Sequence, residues 1–304
     1  MYLQNSLQAH NAYDKIKIPK TVRNSKENRM AENKMTAKEK LERVKDFRLI
    51  DDVFFEVFAQ DKEACQEILR AILEDDELIV TSVVVQSSER NLYGRSVRLD
   101  ALCTMGDGTK CNIEVQRADN DDHFRRVRFN ASSITVKNSE PGEYFEDILD
   151  LYMVYISEND FIGDGYTAYH VGKVIRETGK QITDGVHEVY VNTKVKDGTK
   201  ISELMDCFID KNLENPNFPE ITRRFQELKQ TEGGAGAVCD IMEKFMAESR
   251  EKGREEGREE GREEGTERMA KLVDILLFNG RIDELNKIGK DAALRKNLFE
   301  EYNL

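Results

Sequence analysis

The sequence lacks the features that mark secreted, membrane-spanning and zinc-binding proteins. Its five cysteines form an odd set without CxxC or CxxH spacing, and its four histidines are scattered. This pattern indicates neither a disulfide framework nor a His/Cys metal site. The N-terminus has no apolar stretch typical of an export signal, and no run of about 18 apolar residues occurs. We therefore expect a cytoplasmic protein with no membrane partner.

Net positive charge is also absent from most of the chain, in which acidic residues outnumber basic ones. Its 304 residues carry a formal net charge of −13, which excludes a protein that coats nucleic acid with its whole surface. The charge is unevenly distributed, because residues 1–40 contain nine basic and four acidic residues and the remainder carries −18. Any nucleic-acid site must therefore be local.

Three segments differ in their residue patterns. Residues 1–44 are polar and basic without periodicity, which predicts a disordered arm, with a DNA-gripping arm as the alternative. Residues 45–200 alternate between helix-like and strand-like patterns, typical of an α/β core. Residues 201–304 are helical, with a glycine-rich hinge predicted at 233–236 and a Gly-Arg-Glu-Glu repeat at about 250–268.

Apolar periodicity predicts the order αβββαβ in the core. Two amphipathic helices follow candidate N-caps at Asp51 or Asp52 and at Asp61. A third helix is predicted from the apolar stripe between Phe124 and Ile134. The predicted strands lie at residues 78–86, 96–105, 109–117, 148–156 and 186–192. We therefore expect a mixed sheet with flanking helices, followed by a helical C-terminal extension.

The loop at residues 106–108 sets the register of a predicted hairpin. A three-residue loop with Gly108 in the left-handed conformation places Asp100 opposite Glu114 on the neighbouring strand. Over residues 97–104 and 110–116, odd positions are apolar and even positions are polar apart from Leu102, which supports this register independently. A two-residue loop would instead place the two carboxylates on opposite faces.

Two opposed carboxylates on a polar sheet face suit a hard divalent cation. Mg²⁺ takes oxygen ligands, typically one or two carboxylates together with water and substrate phosphate. Asp100 and Glu114 would supply the negative charge, and their mutual repulsion would be relieved by the cation. The alternative is that both side chains simply lie on a solvated face of the sheet.

Several motifs together resemble one nuclease superfamily. They are Asp51-Asp52-Val53-Phe54-Phe55, Arg98-Leu99-Asp100-Ala101, Asn112-Ile113-Glu114-Val115-Gln116 and the arginine-bearing segment 123–130. Their order and spacing resemble the PD-(D/E)XK nucleases, and specifically the transposase-like branch also called recombination-promoting nucleases. The resemblance covers about residues 45–200, and the Gly-Arg-Glu-Glu repeat is a second feature of that branch.

The resemblance implies a restriction-endonuclease-like fold and Mg²⁺-dependent cleavage of DNA, in mobile elements or recombination. Asp100 and Glu114 would be metal ligands, Gln116 a third catalytic residue, and Mn²⁺ a substitute for Mg²⁺. Gln116 occupies the place of the superfamily's usual lysine, and this branch is similar in using Glu-x-Gln. Because glutamine carries no charge to orient a water or stabilise the phosphate, the alternative function is an inactive DNA- or protein-binding module.

Nearby cations could supply the missing charge. Lys110, Arg125 and Arg126 are candidates, with one of the arginines preferred. Arg125, Arg126 and Arg128 are predicted to contact DNA phosphates, or else to form the exposed side of an amphipathic helix.

Asp52, Glu56 and the Gly-Arg-Glu-Glu repeat can each be interpreted in a structural or a functional way. Asp52 is interpreted as a helix cap in preference to a metal ligand, and Glu56 as a residue that could reach the site from the first helix. The glycine repeat is a poor isolated helix, so it indicates either a self-association segment or a solvated linker.

Overall fold

The computed structural model describes residues 35–90, 96–117, 122–142 and 144–304. Within these residues the helices are α1 (Ala37–Val44), α2 (Asp52–Phe58), α3 (Lys62–Ile72), α4 (His123–Lys137), α5 (Lys200–Ile209), α6 (Pro219–Gln230), α7 (Glu232–Phe278), α8 (Ile282–Ile288) and α9 (Ala292–Tyr302). The strands are β1 (Val80–Arg90), β2 (Ser96–Met105), β3 (Lys110–Gln116), β4 (Leu151–Ser157), β5 (Ala168–Val171), β6 (Lys173–Val174), β7 (Gln181–Ile182) and β8 (Val186–Asn192). None of the helices in these ranges is both long and apolar enough to cross a membrane.

A six-stranded mixed sheet forms the centre of the first compact unit, which ends at Met242. Its strand order is β1-β2-β3-β4-β8-β5, and β6 pairs with β7 in a separate ribbon. Strands β3, β4 and β8 are parallel, whereas β1, β2 and β5 pair antiparallel with their neighbours. The predicted order αβββαβ and the mixed sheet are therefore confirmed, as is the restriction-endonuclease-like α/β class.

Side-chain alternation along the strands creates two apolar layers. On β3 and β4, Ile113 and Val154 join the larger layer with α2, α3, α5 and α6, whereas Met153 and Tyr155 pack with α4 in the smaller layer. Leu102, the exception to the polar pattern of its face, belongs to the smaller layer. The polar face of the hairpin is therefore covered by α4 instead of facing solvent.

The hairpin between β2 and β3 has the predicted register. Gly108 has a φ of +93°, and the Met105 amide donates to the Thr109 carbonyl at 2.8 Å. The pairs run from Thr104 opposite Lys110 to Ala101 opposite Ile113, which is the register that the three-residue loop predicts. A left-handed glycine thus sets the register that brings Asp100 and Glu114 to neighbouring positions.

The prediction of a disordered arm is wrong for residues 37–44, which form α1. Thr36 and Glu39 form a reciprocal capping box at its start, and Val44 is fully buried at its end. Met35 and Leu41 pack against the main core. The basic composition of this segment concealed three apolar side chains that anchor the helix. Residues 1–34 lie outside the described residues.

The hinge predicted at residues 233–236 is also wrong, because this segment opens α7. A Cβ on Gly234 would lie 2.3 Å from the Glu227 carbonyl oxygen, whereas a Cβ on Gly233 would meet nothing within 4 Å. The Thr231 hydroxyl accepts from the Gly234 amide at 3.0 Å. Gly234 is therefore required where the chain passes close to α6, and it does not mark a flexible joint.

The second compact unit begins at Glu243 and contains most of α7 together with α8 and α9. Leu272, Leu276, Ile288 and Leu298 form its small core. Because Ile201, Phe208 and Phe225 of α5 and α6 belong to the main core, this division lies later in the chain than the predicted domain limit at residue 200.

Candidate active site

Strand β3 presents three polar side chains on the sheet face covered by α4. Asn112, Glu114 and Gln116 alternate with the apolar Ile113 and Val115, so they share that face. Asn112 is fully buried and Glu114 is 5% exposed, whereas Gln116 is half-buried near the end of the strand. The interpretation of Glu114 as part of a solvated face is therefore wrong.

The Glu114 carboxylate is held from two elements. Asn112 Nδ2 donates to Glu114 Oε2 at 3.3 Å, and Asn130 Nδ2 of α4 donates to the same oxygen at 3.2 Å. Burial raises the pKa of Glu114 to about 7, although both amides and the Arg126 charge oppose this rise. Metal-free Glu114 is thus a strained carboxylate for which a cation would relieve the cost of burial.

Asp100 lies on β2 beside the end of the paired ladder. Its Oδ2 accepts from the Val115 amide at 2.9 Å, which ties the side chain to β3. Burial raises the pKa of Asp100 well above its usual range, and the charges of Glu114 and Asp52 raise it further. The structure therefore brings Asp100 and Glu114, hereafter the carboxylate pair, into one electrostatically coupled site.

Asp52 is a third carboxylate near this site, although the sequence favours a helix cap over a metal ligand at this position. Asp51 occupies the N-cap position of α2 and Asp52 is the first helical residue, so the cap interpretation of Asp52 is wrong. The charge of Asp52 raises the pKa of both members of the carboxylate pair. Two adjacent acids before an apolar helix were visible in the sequence, but the packing of α2 against β2 and β3 was not.

A network of ion pairs fixes the start of α2 beside the ends of β3 and β4. Arg117 Nη1 lies 2.8 Å from Asp51 Oδ1 and its Nε lies 3.3 Å from Glu158 Oε2. Arg48 Nη1 lies 2.9 Å from Glu158 Oε1, and the Arg48 amide donates to Asp51 at 2.8 Å. These ion pairs thus link the start of α2 to the ends of β3 and β4 at the edge of the site.

Among the predicted cations, the structure places Arg126 closest to the carboxylate pair. Arg126 Nη1 lies 3.9 Å from Glu114 Oε1, and its side chain is 34% exposed. Arg125 and Arg128 are exposed on the same helix. Lys110 lies at the opposite end of β3, where its Nζ donates to Thr104 Oγ1 at 2.9 Å. Lys110 is therefore removed from the group of candidate cations.

Aromatic side chains, hereafter the aromatic floor, line the site on the side of β4. Tyr155 of β4 is the register partner of Glu114, and its hydroxyl lies 2.9 Å from His123 Nδ1. Phe161 stacks on His123 with ring centroids 4.0 Å apart. Burial raises the pKa of Tyr155, so this phenol stays neutral beside the carboxylates. The aromatic floor lowers the local dielectric and strengthens every charge interaction above it.

The donor set fits a hard divalent cation of low protein coordination number. It offers carboxylate oxygens and the amide oxygen Asn112 Oδ1, a buried acceptor without a hydrogen-bond partner in the described part of the chain. No group of three His, Cys, Asp or Glu side chains in that part is arranged to hold a metal ion. Mg²⁺ suits such a site because it keeps several waters and uses one or two carboxylates.

Comparison with known proteins assigns the chain to a family. The sequence matches the PD-(D/E)XK nuclease family transposases over residues 48–260, which is more than half of its length. No curated protein and no solved structure matches it. The matched region contains the whole mixed sheet, both members of the carboxylate pair and the first glycines of the repeat. The chain belongs to the PD-(D/E)XK nuclease family transposases.

Proposed function

We propose that this protein is a Mg²⁺-dependent DNA endonuclease in which Asp100 and Glu114 are the metal ligands. The observation that supports this proposal is the carboxylate pair, in which Glu114 is buried and Asp100 is half-buried, and desolvation raises the pKa values of both. Arg126 lies 3.9 Å from Glu114, but its charge does not offset the effect of burial on the pKa of Glu114. Strongly perturbed carboxylates that share one site are typical of functional positions.

Other side chains of the site would take part in catalysis and DNA binding. When bound, Mg²⁺ supplies an activated water and neutralises charge on the phosphate. Gln116 would hydrogen-bond the water or the phosphate through its amide, and Arg126 would provide the positive charge that glutamine lacks. Arg125 and Arg128 would bind the DNA backbone as exposed phosphate contacts. Mn²⁺ would replace Mg²⁺ because it accepts the same oxygen ligands.

Two further assignments belong to this proposal. The family supports a role in DNA transposition or recombination. The five cysteines are all free and buried, which suits the reducing cytoplasm.

Cleavage of supercoiled plasmid tests the endonuclease assignment. We expect the full-length protein to nick plasmid DNA with Mg²⁺ or Mn²⁺ but not with EDTA, and Asp100→Ala and Glu114→Ala to be inactive. Nicking that survives both substitutions would contradict the site assignment. If the wild type fails to cleave DNA with any divalent ion tested yet retards DNA in a gel, the protein is instead an inactive DNA-binding module, as the neutral Gln116 allows.

The repeat in α7 supports a second partner, another copy of this chain. Gly253, Gly257, Gly261 and Gly265 recur every four residues in the helix, and a Cβ at any of them would meet nothing within 4 Å. Each glycine costs about 1 kcal/mol relative to alanine in an exposed helix. We propose that a second α7 packs against this stripe, because small residues spaced by four let two helices approach closely.

Light scattering of the full-length protein tests self-association. We expect a mass above the 35.0 kDa of one chain, reduced to one chain by the double substitution Gly257→Leu with Gly261→Leu. The matched double substitution to alanine keeps a small surface and should keep the assembled mass. A monomeric wild type, or leucine variants with the wild-type mass, would rule out the proposal.

A further inference from the structure

The two oxygens of Glu114 have different environments. Oε2 accepts from both Asn112 Nδ2 and Asn130 Nδ2, at 3.3 and 3.2 Å. Oε1 faces Arg126 Nη1 at 3.9 Å, beyond hydrogen-bond distance. Within the described residues, Oε1 therefore keeps its lone pairs available while Oε2 is occupied by two donors.

We propose that Asn112 and Asn130, the amide pair, are positioning residues that fix Oε2 and present Oε1 as the single metal-binding oxygen of Glu114. This inference rests on the proposed metal-dependent function and adds the orientation of the ligand to it. The two amides come from different elements, β3 and α4, so they fix the carboxylate against both the sheet and the helix. Such supporting contacts commonly set ligand orientation and metal affinity.

Neutral donors suit this role better than charged ones. An amide N–H holds a carboxylate oxygen without bringing a positive charge that would compete with the metal ion. A carboxylate in either position would repel Glu114, and an ammonium or guanidinium group would occupy the place of the cation. The amide pair thus lowers the cost of the ionised state while leaving the site short of positive charge.

Burial indicates that these amides do not serve stability alone. Asn112 is fully buried and Asn130 is 4% exposed, yet the Asn112 Oδ1 atom has no hydrogen-bond partner in the described residues. A buried acceptor left unpaired is unfavourable, because it loses its hydrogen bond to water without gaining another. An apolar side chain would avoid that cost, so the value of Asn112 lies in the site itself, where its Nδ2 donates to Glu114 and its Oδ1 remains an unpaired acceptor.

Calorimetric titration of the full-length protein with Mn²⁺, without DNA, measures ligand positioning independently of cleavage. We expect Asn130→Ala and Asn112→Ala each to weaken Mn²⁺ binding by about 10- to 100-fold. Asn138→Ala is the matched control, because Asn138 Nδ2 donates to the Ile134 carbonyl at the end of the same helix, and it should bind Mn²⁺ as the wild type does. Thermal unfolding confirms that each variant is folded.

Metal dependence of plasmid nicking provides the second readout. The variants of the amide pair should need about 10- to 100-fold more Mn²⁺ for half-maximal cleavage and should approach the wild-type rate at saturation, which a general loss of structure would not produce. If Asn112→Ala and Asn130→Ala both bind Mn²⁺ with the wild-type affinity while Glu114→Ala loses Mn²⁺ binding, the positioning role is overturned and the nuclease proposal stays intact. Wild-type affinity in Glu114→Ala itself would overturn both. Equal weakening in Asn138→Ala would overturn the positioning role alone.

Discussion

Replacing Glu114 by glutamine is expected to abolish metal-dependent DNA cleavage and, at the same time, to stabilise the metal-free protein above pH 7. The substitution removes the charge with little change in shape, and its amide oxygen can still accept from Asn112 and Asn130. Loss of a metal ligand should reduce the cleavage rate by about a hundredfold or more. Stability should rise because a buried charge that lacks a full partner is removed.

The pH dependence of this gain follows from the raised pKa of Glu114. The folded protein binds this proton up to about pH 7, whereas an unfolded chain releases it near pH 4.3. The contribution of the protonated group to stability is therefore fully present below about pH 4.3 and is lost as pH rises to about 7. Above that pH, ionised Glu114 costs roughly 3 kcal/mol, which Glu114→Gln should recover.

Urea unfolding in EDTA at pH 4 and at pH 8 measures this difference. We expect nearly equal free energies of unfolding for wild type and Glu114→Gln at pH 4, and a clear advantage for the variant at pH 8. Glu188→Gln is the control, because Glu188 accepts from the Tyr190 hydroxyl on β8 at 2.6 Å, and it should leave cleavage unchanged. Equal stabilities of wild type and Glu114→Gln at pH 8 would contradict the raised pKa of Glu114.

Added Mn²⁺ should reverse the order of stability. A ligand that binds only the folded state stabilises it by about 4.1 kcal/mol at a concentration of about 1,000 times Kd, which exceeds the roughly 3 kcal/mol cost of ionised Glu114. Wild type should gain this increment and Glu114→Gln should not. The same residue would then destabilise the empty protein and bind its cofactor, which is the trade-off expected of an active site.

Local patterns were sufficient to predict the register of the hairpin that carries Asp100 and Glu114. Gly108 and the alternation along β2 and β3 are short-range signals, and they fix the pairing of residues 101–104 with residues 110–113 without any knowledge of the rest of the fold. The amide pair, Asp52 and the position of Arg126 depend on how α2 and α4 pack on the sheet. Asn112 was visible as a polar position of β3, but its bond to Glu114 required the side-chain geometry.

Composition is a poor guide to conformation at two places for a common physical reason. It predicts a disordered arm for the basic segment that contains α1, and a hinge for the glycines at the start of α7. In both places a few tertiary contacts determine the conformation, namely the burial of Val44 and the close approach of Gly234 to α6. Average charge and glycine content do not report such contacts.

Arg126 should have the opposite effect on metal binding from the amide pair. We expect Arg126→Gln to reduce the rate of DNA cleavage at saturating Mn²⁺ by about a hundredfold, because it removes the charge available to stabilise the phosphate. Affinity for Mn²⁺ should not fall, and should increase, because a cation 3.9 Å from Glu114 Oε1 is lost. A residue that served only to maintain the fold would weaken both properties.

The pH–rate profile and two neighbouring arginines complete this test. The Arg126 charge lowers the pKa values of Asp100 and Glu114, so its removal should move the acid limb of the profile to higher pH. Arg125→Gln and Arg128→Gln change exposed side chains of the same helix, and each should only reduce the salt dependence of DNA binding, by about one unit of slope. Gln116 cannot supply a positive charge. An Arg126→Gln variant with the wild-type rate would therefore show that catalysis does not need the charge of Arg126, and the assignment of Arg126 would be wrong.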